Sequence, residues 1–218
     1  KVCNLHHRLG HDPPESIQDL DRGRFDEALV HYRAADEAMP GYWLVHEHIA
    51  EVLWELGEVK AADALYAEVT QLPNHPDLLD TYAEFLIDQG RAEEAQPLLD
   101  RAGELWEERI ARYPDAAYGH GIGHYLMTDP ERAVVLAEAQ LVEQPSASAR
   151  TVYAEALLAV DRPDDARVAI DQALASDWRH ADTFAMGSKV YAALGDTAMA
   201  TSLCEDAHAI NPSADCGA

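Results

Sequence analysis

The side chains in this sequence whose types and spacing suggest chemistry are histidines, cysteines and carboxylates. His120 and His124, in the run GHGIGH from Gly119, lie one helical turn apart. Two imidazoles so placed can chelate a transition metal if a neighbouring helix adds a third ligand. The three glycines of that run cost a helix about 1 kcal/mol each relative to alanine, and they let another helix or a ligand approach closely. The glutamate that follows the first histidine in zinc proteases is missing. A second group, Cys3, His6, His7 and His11, places Cys3, His7 and His11 on one face if that piece is helical. Thiolate and imidazole together favour zinc, copper or haem-type iron. The spacing matches neither a zinc finger nor a CxxCH haem attachment, and Leu5 and Leu9 equally suit a leader docked by packing. His46 and His48 point to different sides of a helix and do not form a chelating pair. There is no nucleophile motif, phosphate loop or dinucleotide fingerprint, and the GxG run falls inside a helical pattern. The expectation is a protein with no catalytic residue and no cofactor, with a metal-binding protein using His120 and His124 as the alternative.

Net charge narrows the partners. Forty acidic residues against 16 basic ones leave a formal charge of −24. Nucleic acid and anionic membrane surfaces need clustered Lys and Arg, so both are poor partners. A basic peptide or protein is favoured by the same field. No apolar run approaches the roughly 18–20 residues that span a bilayer, so no membrane insertion is expected. Three cysteines, Cys3, Cys204 and Cys216, make an odd set without regular spacing. That argues against a disulfide framework and for a reducing compartment, with Cys204 a small core residue. A cytoplasmic location is the default expectation. The chain opens on Lys1 rather than Met, which leaves export or a longer parent chain open.

The elements that would position these residues repeat every thirty-four residues. The stretch Ala181–Pro212 has two apolar-periodic halves joined at Leu194-Gly195-Asp196. Gly195 suits the left-handed residue that ends a helix, and Pro212 cannot continue one. Earlier copies place Ala28, Ala62, Ala95, Ala133, Ala166 and Ala200 in one register, with Gly23, Gly57, Gly90 and Gly195 at the turns. The chain divides into a leader (1–13), six units (14–42, 43–75, 76–113, 114–146, 147–180 and 181–214) and a tail (215–218). The first unit has a first helix shortened by Pro13-Pro14 to Glu15–Arg22. In the third, the second helix, Arg91–Tyr113, is about seven residues too long, two turns that extend it without much rotating its face. Trp178 stands where the fifth unit's closing proline is expected.

A thirty-four-residue period of paired helices, with Gly or Ala at position 8, Ala at 20 and 27 and Pro at 32, resembles the tetratricopeptide repeat. The resemblance covers roughly residues 14 to 214. It implies an all-α, right-handed superhelical array, an α-solenoid of about six hairpins, that binds proteins or peptides rather than catalysing a reaction. In that family, positions 2, 5, 9, 12 and 13 of each first helix line the concave groove. Carried across, they select Glu47, Glu51, Trp54, Glu55, Asp80, Glu84, Asp88, Tyr118, Ile122, Tyr125 and Glu155. The implied groove is acidic with aromatic anchors, suited to a basic or amphipathic partner. Members that clamp a C-terminal carboxylate use Lys and Arg where this chain has Glu47 and Asp80, which argues against that activity. Self-assembly through repeat edges, giving a homo-oligomer, is a further alternative. Met199, Leu203 and Ile210 are then the exposed flank.

Overall fold

The computed structural model describes residues 15–113, 115 and 118–217, and these form twelve α-helices and no strand. They pair as expected: α1 (Glu15–Asp21) with α2 (Phe25–Ala38), α3 (Trp43–Glu55) with α4 (Val59–Val69), α5 (Pro76–Asp88) with α6 (Ala92–Arg112). Then follow α7 (His120–Thr128) and α8 (Pro130–Glu143), α9 (Ala147–Ala159) and α10 (Pro163–Leu174), α11 (Ala181–Ala193) and α12 (Thr197–Ile210). The chain divides into two compact units, 1–124 and 125–218, at a point inside α7. In the first, α1 to α6 each pack on the next helix in sequence; in the second, α8 to α12 do so, and α9 also meets α11.

The turns between paired helices show why the period is kept. After α3 the Gly57 N–H donates to the Trp54 carbonyl and the Glu58 N–H to that of Leu53. The same two bonds recur after α5 (Gly90 to Ile87, Arg91 to Leu86) and after α11 (Gly195 to Ala192, Asp196 to Tyr191). They need a left-handed residue, supplied by Gly57, Gly90 and Gly195 at φ of 77°, 74° and 80°. After α9, Asp161 takes that role at φ 56°, consistent with the tolerance of Asp for this region. Pro130 and Pro163 open α8 and α10, where the missing N–H costs nothing.

Small residues hold each pair together. Ala28, Ala62, Ala95, Ala133 and Ala166 have no exposed surface, and Ala200 is buried too, so two backbones approach at every repeat. The elongated helix forms as the spacing predicts: α6 runs 21 residues, and its extension buries Trp106 against Leu79 and Ala102. Pro97 sits inside α6.

Two expectations are corrected at the C-terminal end. Cys204 is half-buried rather than core, and it is disulfide-bonded to Cys216 with Cα atoms 5.7 Å apart. An odd count of cysteines carries no sign that the tail folds back onto α12. Leu203 is buried with Phe184, Ala185 and Ala207, while Ile210, Ala214 and Cys216 pack against that cluster. Of the expected apolar flank only Met199 is exposed. No helix among the described residues is long and apolar enough to cross a membrane.

Candidate functional site

The carboxylates expected to act together come from α3 and α5. From Trp43 to Asp88 the only basic side chain apart from histidine is Lys60. Helical geometry puts Glu47, Glu51 and Glu55 on one stripe of α3, at i, i+4 and i+8, and Asp80, Glu84 and Asp88 on one stripe of α5. The two helices are stitched through residues one repeat apart. The Trp54 indole N–H donates to Asp88 Oδ2 at 3.1 Å, and the Trp54 ring meets the edge of Phe85 at 5.5 Å. Phe85 is fully buried and also touches Tyr66 and Tyr82, so the indole stands on a fixed aromatic floor.

Burial sorts the eleven expected groove residues into two sets. Glu51, Asp80, Tyr118, Ile122 and Tyr125 are buried, with Glu51 only 3% exposed. Glu47, Trp54, Glu55, Glu84 and Glu155 are half-buried and Asp88 is exposed. The second set is what a ligand can touch. The first set is buried, a correction to the expectation that all eleven line a surface.

Glu47, half-buried at that face, joins half-buried His48 and buried Glu51 in a three-residue cluster. His48 Nδ1 is 3.1 Å from Glu51 Oε2 and 3.3 Å from Glu47 Oε2, and its ring stacks on Tyr32 at 5.1 Å. The missed signal was the i, i+3 spacing of His48 and Glu51. His46, by contrast, turns away to Asp36 Oδ1 at 2.8 Å. Burial pushes the Glu47 carboxyl up, His48 partly relieves it, and the charges of Glu51 and Asp77 push it further, to about 7. Burial by itself would pull His48 down. The hydrogen bond to Glu51 and the negative charge of Glu47 and Glu51 outweigh it and raise the imidazole to about 9. At neutral pH His48 is therefore held as a cation beside Glu47 and Glu51, while burial makes the Glu47 carboxyl keep its proton more tightly than an ordinary glutamate. Burial first, then Glu51 and Glu47, lift the Tyr66 phenol well above its ordinary range. These three side chains, Glu47, His48 and Glu51, have the donor types for a metal ion and lie within 4.8 Å of one another.

His124 sits in a different arrangement from the chelating pair. Its Nδ1 is 2.7 Å from Asp80 Oδ1, while the Trp106 indole N–H donates to Asp80 Oδ2 at 2.6 Å. Gly103 faces the other edge of the ring, where an added Cβ would lie 3.2 Å from Nε2. Asp80 thus ties α6 and the start of α7 to α5. Its carboxyl is raised by burial, against the lowering pull of His124 and Trp106. Among the described residues, the groups with three metal-donor side chains close together are Glu47–His48–Glu51 and Cys204–His208–Cys216; neither includes His120 or His124. Cys3, His6, His7 and His11 lie outside the described residues.

In the second unit, Tyr125 carries the Arg132 guanidinium 4.4 Å above its ring. Thr151 and Thr183 share a hydrogen bond of 3.0 Å in the core.

Residues 19–72 match one family model described as tetratricopeptide repeat, and residues 78–101 and 147–172 match a second with the same description. No curated protein matches the sequence. A tetratricopeptide repeat protein from Parabacteroides merdae is similar in structure, with TM-score 0.60 and 15% identity, over 89% of this chain and 75% of that one. A thermophilic TPR protein from Thermus thermophilus is similar with TM-score 0.59 and 20% identity, over 83% of this chain and 95% of that one. The APC/C hetero-tetramer Cut9-Hcn1 gives TM-score 0.51 and 17% identity, over 91% of this chain and 39% of that one.

Proposed function

We propose, from the premise that this chain belongs to the tetratricopeptide-repeat family, that it is a non-catalytic interaction scaffold whose α3–α5 face takes a basic or amphipathic protein segment. The observation that carries this reading is the pairing of Trp54 with Asp88, flanked by Glu55 and Glu84 on two helices without a Lys or Arg. Cationic side chains of a partner would meet the carboxylates, and an apolar one would rest on the half-buried indole. Aromatic anchors with a charged surround are where interface affinity concentrates. The carboxylates would mainly speed encounter and reject acidic partners. A similar structure, Cut9-Hcn1, is a hetero-tetramer, which is in keeping with a repeat surface used for assembly.

The experiment is capture of a Lys/Arg-rich helical peptide, followed by anisotropy and by indole fluorescence. The double variant Glu55→Lys, Glu84→Lys reverses charge on both helices while leaving buried Glu51 and Asp80 in place. Binding should fall at least ~10-fold, as expected when attraction between close charge pairs becomes repulsion, and its dependence on salt should weaken. A peptide affinity unchanged by this double variant, with helical content retained, removes the α3–α5 face from the explanation.

A further inference from the structure

The last repeat ends in a second constellation of donor atoms, unrelated to the acidic face. Cys204 and His208 lie on α12 one turn apart, so their side chains share a face. The chain then reverses at Asn211–Pro212 and brings Cys216 back onto the same spot. Cys204 Sγ lies 3.7 Å from His208 Nδ1, and Cys216 Sγ lies 3.8 Å from His208 Nε2. All three donors fall within 4.8 Å of one another. In a tetrahedral zinc site with Zn–S near 2.3 Å and Zn–N near 2.0 Å, neighbouring donors stand roughly 3.5–3.8 Å apart. Nδ1 is already at that separation from Cys204 Sγ, while Cys216 Sγ stands 3.8 Å from the other ring nitrogen, Nε2. The two sulfurs, bonded to each other in the oxidised form, must move apart, Cys216 toward the Nδ1 side.

We propose that Cys204, His208 and Cys216 form a redox-gated site for a thiophilic metal ion, closed as a disulfide and open to zinc(II) when the disulfide is reduced. Two further contacts prepare it. His208 donates its Nε2–H to the Ala214 carbonyl at 3.0 Å. This leaves Nδ1, 3.7 Å from Cys204 Sγ, as the ring nitrogen with a lone pair to give, and a backbone carbonyl on the far nitrogen is the usual outer partner of a metal-bound histidine. The tail carrying Cys216 is also held without the disulfide. Lys189 donates to Asp215 at 2.8 Å, and Ala214 and Cys216 pack against the Phe184–Leu203 cluster. Reduction therefore leaves the three donors close together.

Opening needs a thiol reductant of the glutathione or dithiol class. It delivers two electrons and two protons: the S–S bond breaks, two protein thiols form, and the reductant leaves as its own disulfide. Zinc(II) then displaces both thiol protons to solvent. Two Zn–S bonds form, the neutral imidazole gives its Nδ1 pair, and water takes the fourth position. His208 is exposed and both cysteines are half-buried, so ion and reductant can reach the site.

The test uses the full chain carrying Cys3→Ser, so that no third thiol contributes. Free-thiol titration first follows the air-oxidised protein through reduction. Cobalt(II) then reports thiolate ligation by charge-transfer absorption, and zinc(II) affinity is read by competition with a chromophoric chelator. The reduced protein should take up one cobalt with a thiolate band, and the oxidised form should bind at least ~100-fold more weakly for want of thiolates. His208→Ala, at an exposed helix position, should weaken the reduced site by ~10- to 100-fold or more, given that loss of an outer partner alone costs that much. Cys204→Ser with Cys216→Ser should abolish the band. Equal affinity in both redox states, two free thiols before reduction, no thiolate band, or an unaffected His208→Ala variant would each overturn the proposal.

Discussion

Two stretches of the chain use the same helical hairpin for opposite interiors. Between Trp43 and Asp88 the first helices bury Glu51, Asp80 and much of His48, and rings of Tyr32, Tyr66 and Phe85 enclose the charge. Between Ala181 and Ile210 the corresponding helix buries Ala181, Thr183, Ala185, Gly187 and Ser188, none of them ionisable. Both keep the alanine at the helix crossing and the left-handed glycine at the turn. The repeat therefore tolerates a wide range of side chains on the inner stripe of its first helix, provided the crossing and the turn are kept. The acidic stretch uses that freedom to concentrate negative charge next to a surface, and the last repeat uses it to pack closely. Gly187 shows the second strategy: an added Cβ would lie 3.0 Å from Leu203 Cδ1.

This contrast predicts that removing a buried polar group costs far more in the acidic stretch. Asp80→Ala strands the Trp106 indole N–H and the His124 imidazole together. It should destabilise the protein by about 3 kcal/mol, the range for leaving buried hydrogen-bond partners of a carboxyl group unsatisfied. Replacing Thr151 and Thr183 together by valine removes both partners of one neutral bond and should change stability by less than about 1 kcal/mol. Urea denaturation of both variants checks this, and equal losses would erase the comparison.

The Glu47–His48–Glu51 cluster should make stability fall as pH rises. Glu47 has its folded value raised from 4.5 to about 7, so its favourable contribution is complete below 4.5 and lost as pH climbs through 7. His48, raised from 6.5 to about 9, contributes fully below 6.5 and loses that contribution as pH passes 9. Both slopes have the same sign, and a decline on the order of 2 kcal/mol from pH 6.5 to 9 is expected. His48→Gln should flatten this alkaline limb, which thermal melts across that window would show. A limb of the same steepness in the variant would assign the decline elsewhere.

The turns set the remaining effects. Gly195 has open space around its missing Cβ but a φ of 80°, so Gly195→Ala should cost about 1–2 kcal/mol through the backbone alone. Asp161→Gly relieves the same conformation at the equivalent turn and should be neutral or stabilising by about 0.5 kcal/mol. Chemical denaturation of this pair tests whether the turns of the two repeats are interchangeable.

Most of the helical architecture was legible in the sequence because it is local. The crossing alanines, the glycine turns, the prolines at helix starts and the long third-repeat helix are each set within one hairpin. The stripe that carries Glu47 to Asp88 was also legible, since helical periodicity fixes which residues share a face. Depth was not. Trp106 covers Asp80 from 26 residues away and His124 from 44, and position on a helix does not say what a neighbouring repeat lays over it.

The sequence by itself determined the period, the pairing of helices and the sign of the charge on the α3–α5 face, since these follow from propensity, spacing and composition. Only the tertiary structure decided which carboxylates are buried, that His48 sits beside Glu47 and Glu51 while His124 goes to Asp80, and that Cys216 returns to Cys204 and His208. Each of those outcomes depends on segments meeting across turns, and burial, proton affinity and bond formation all follow from that meeting.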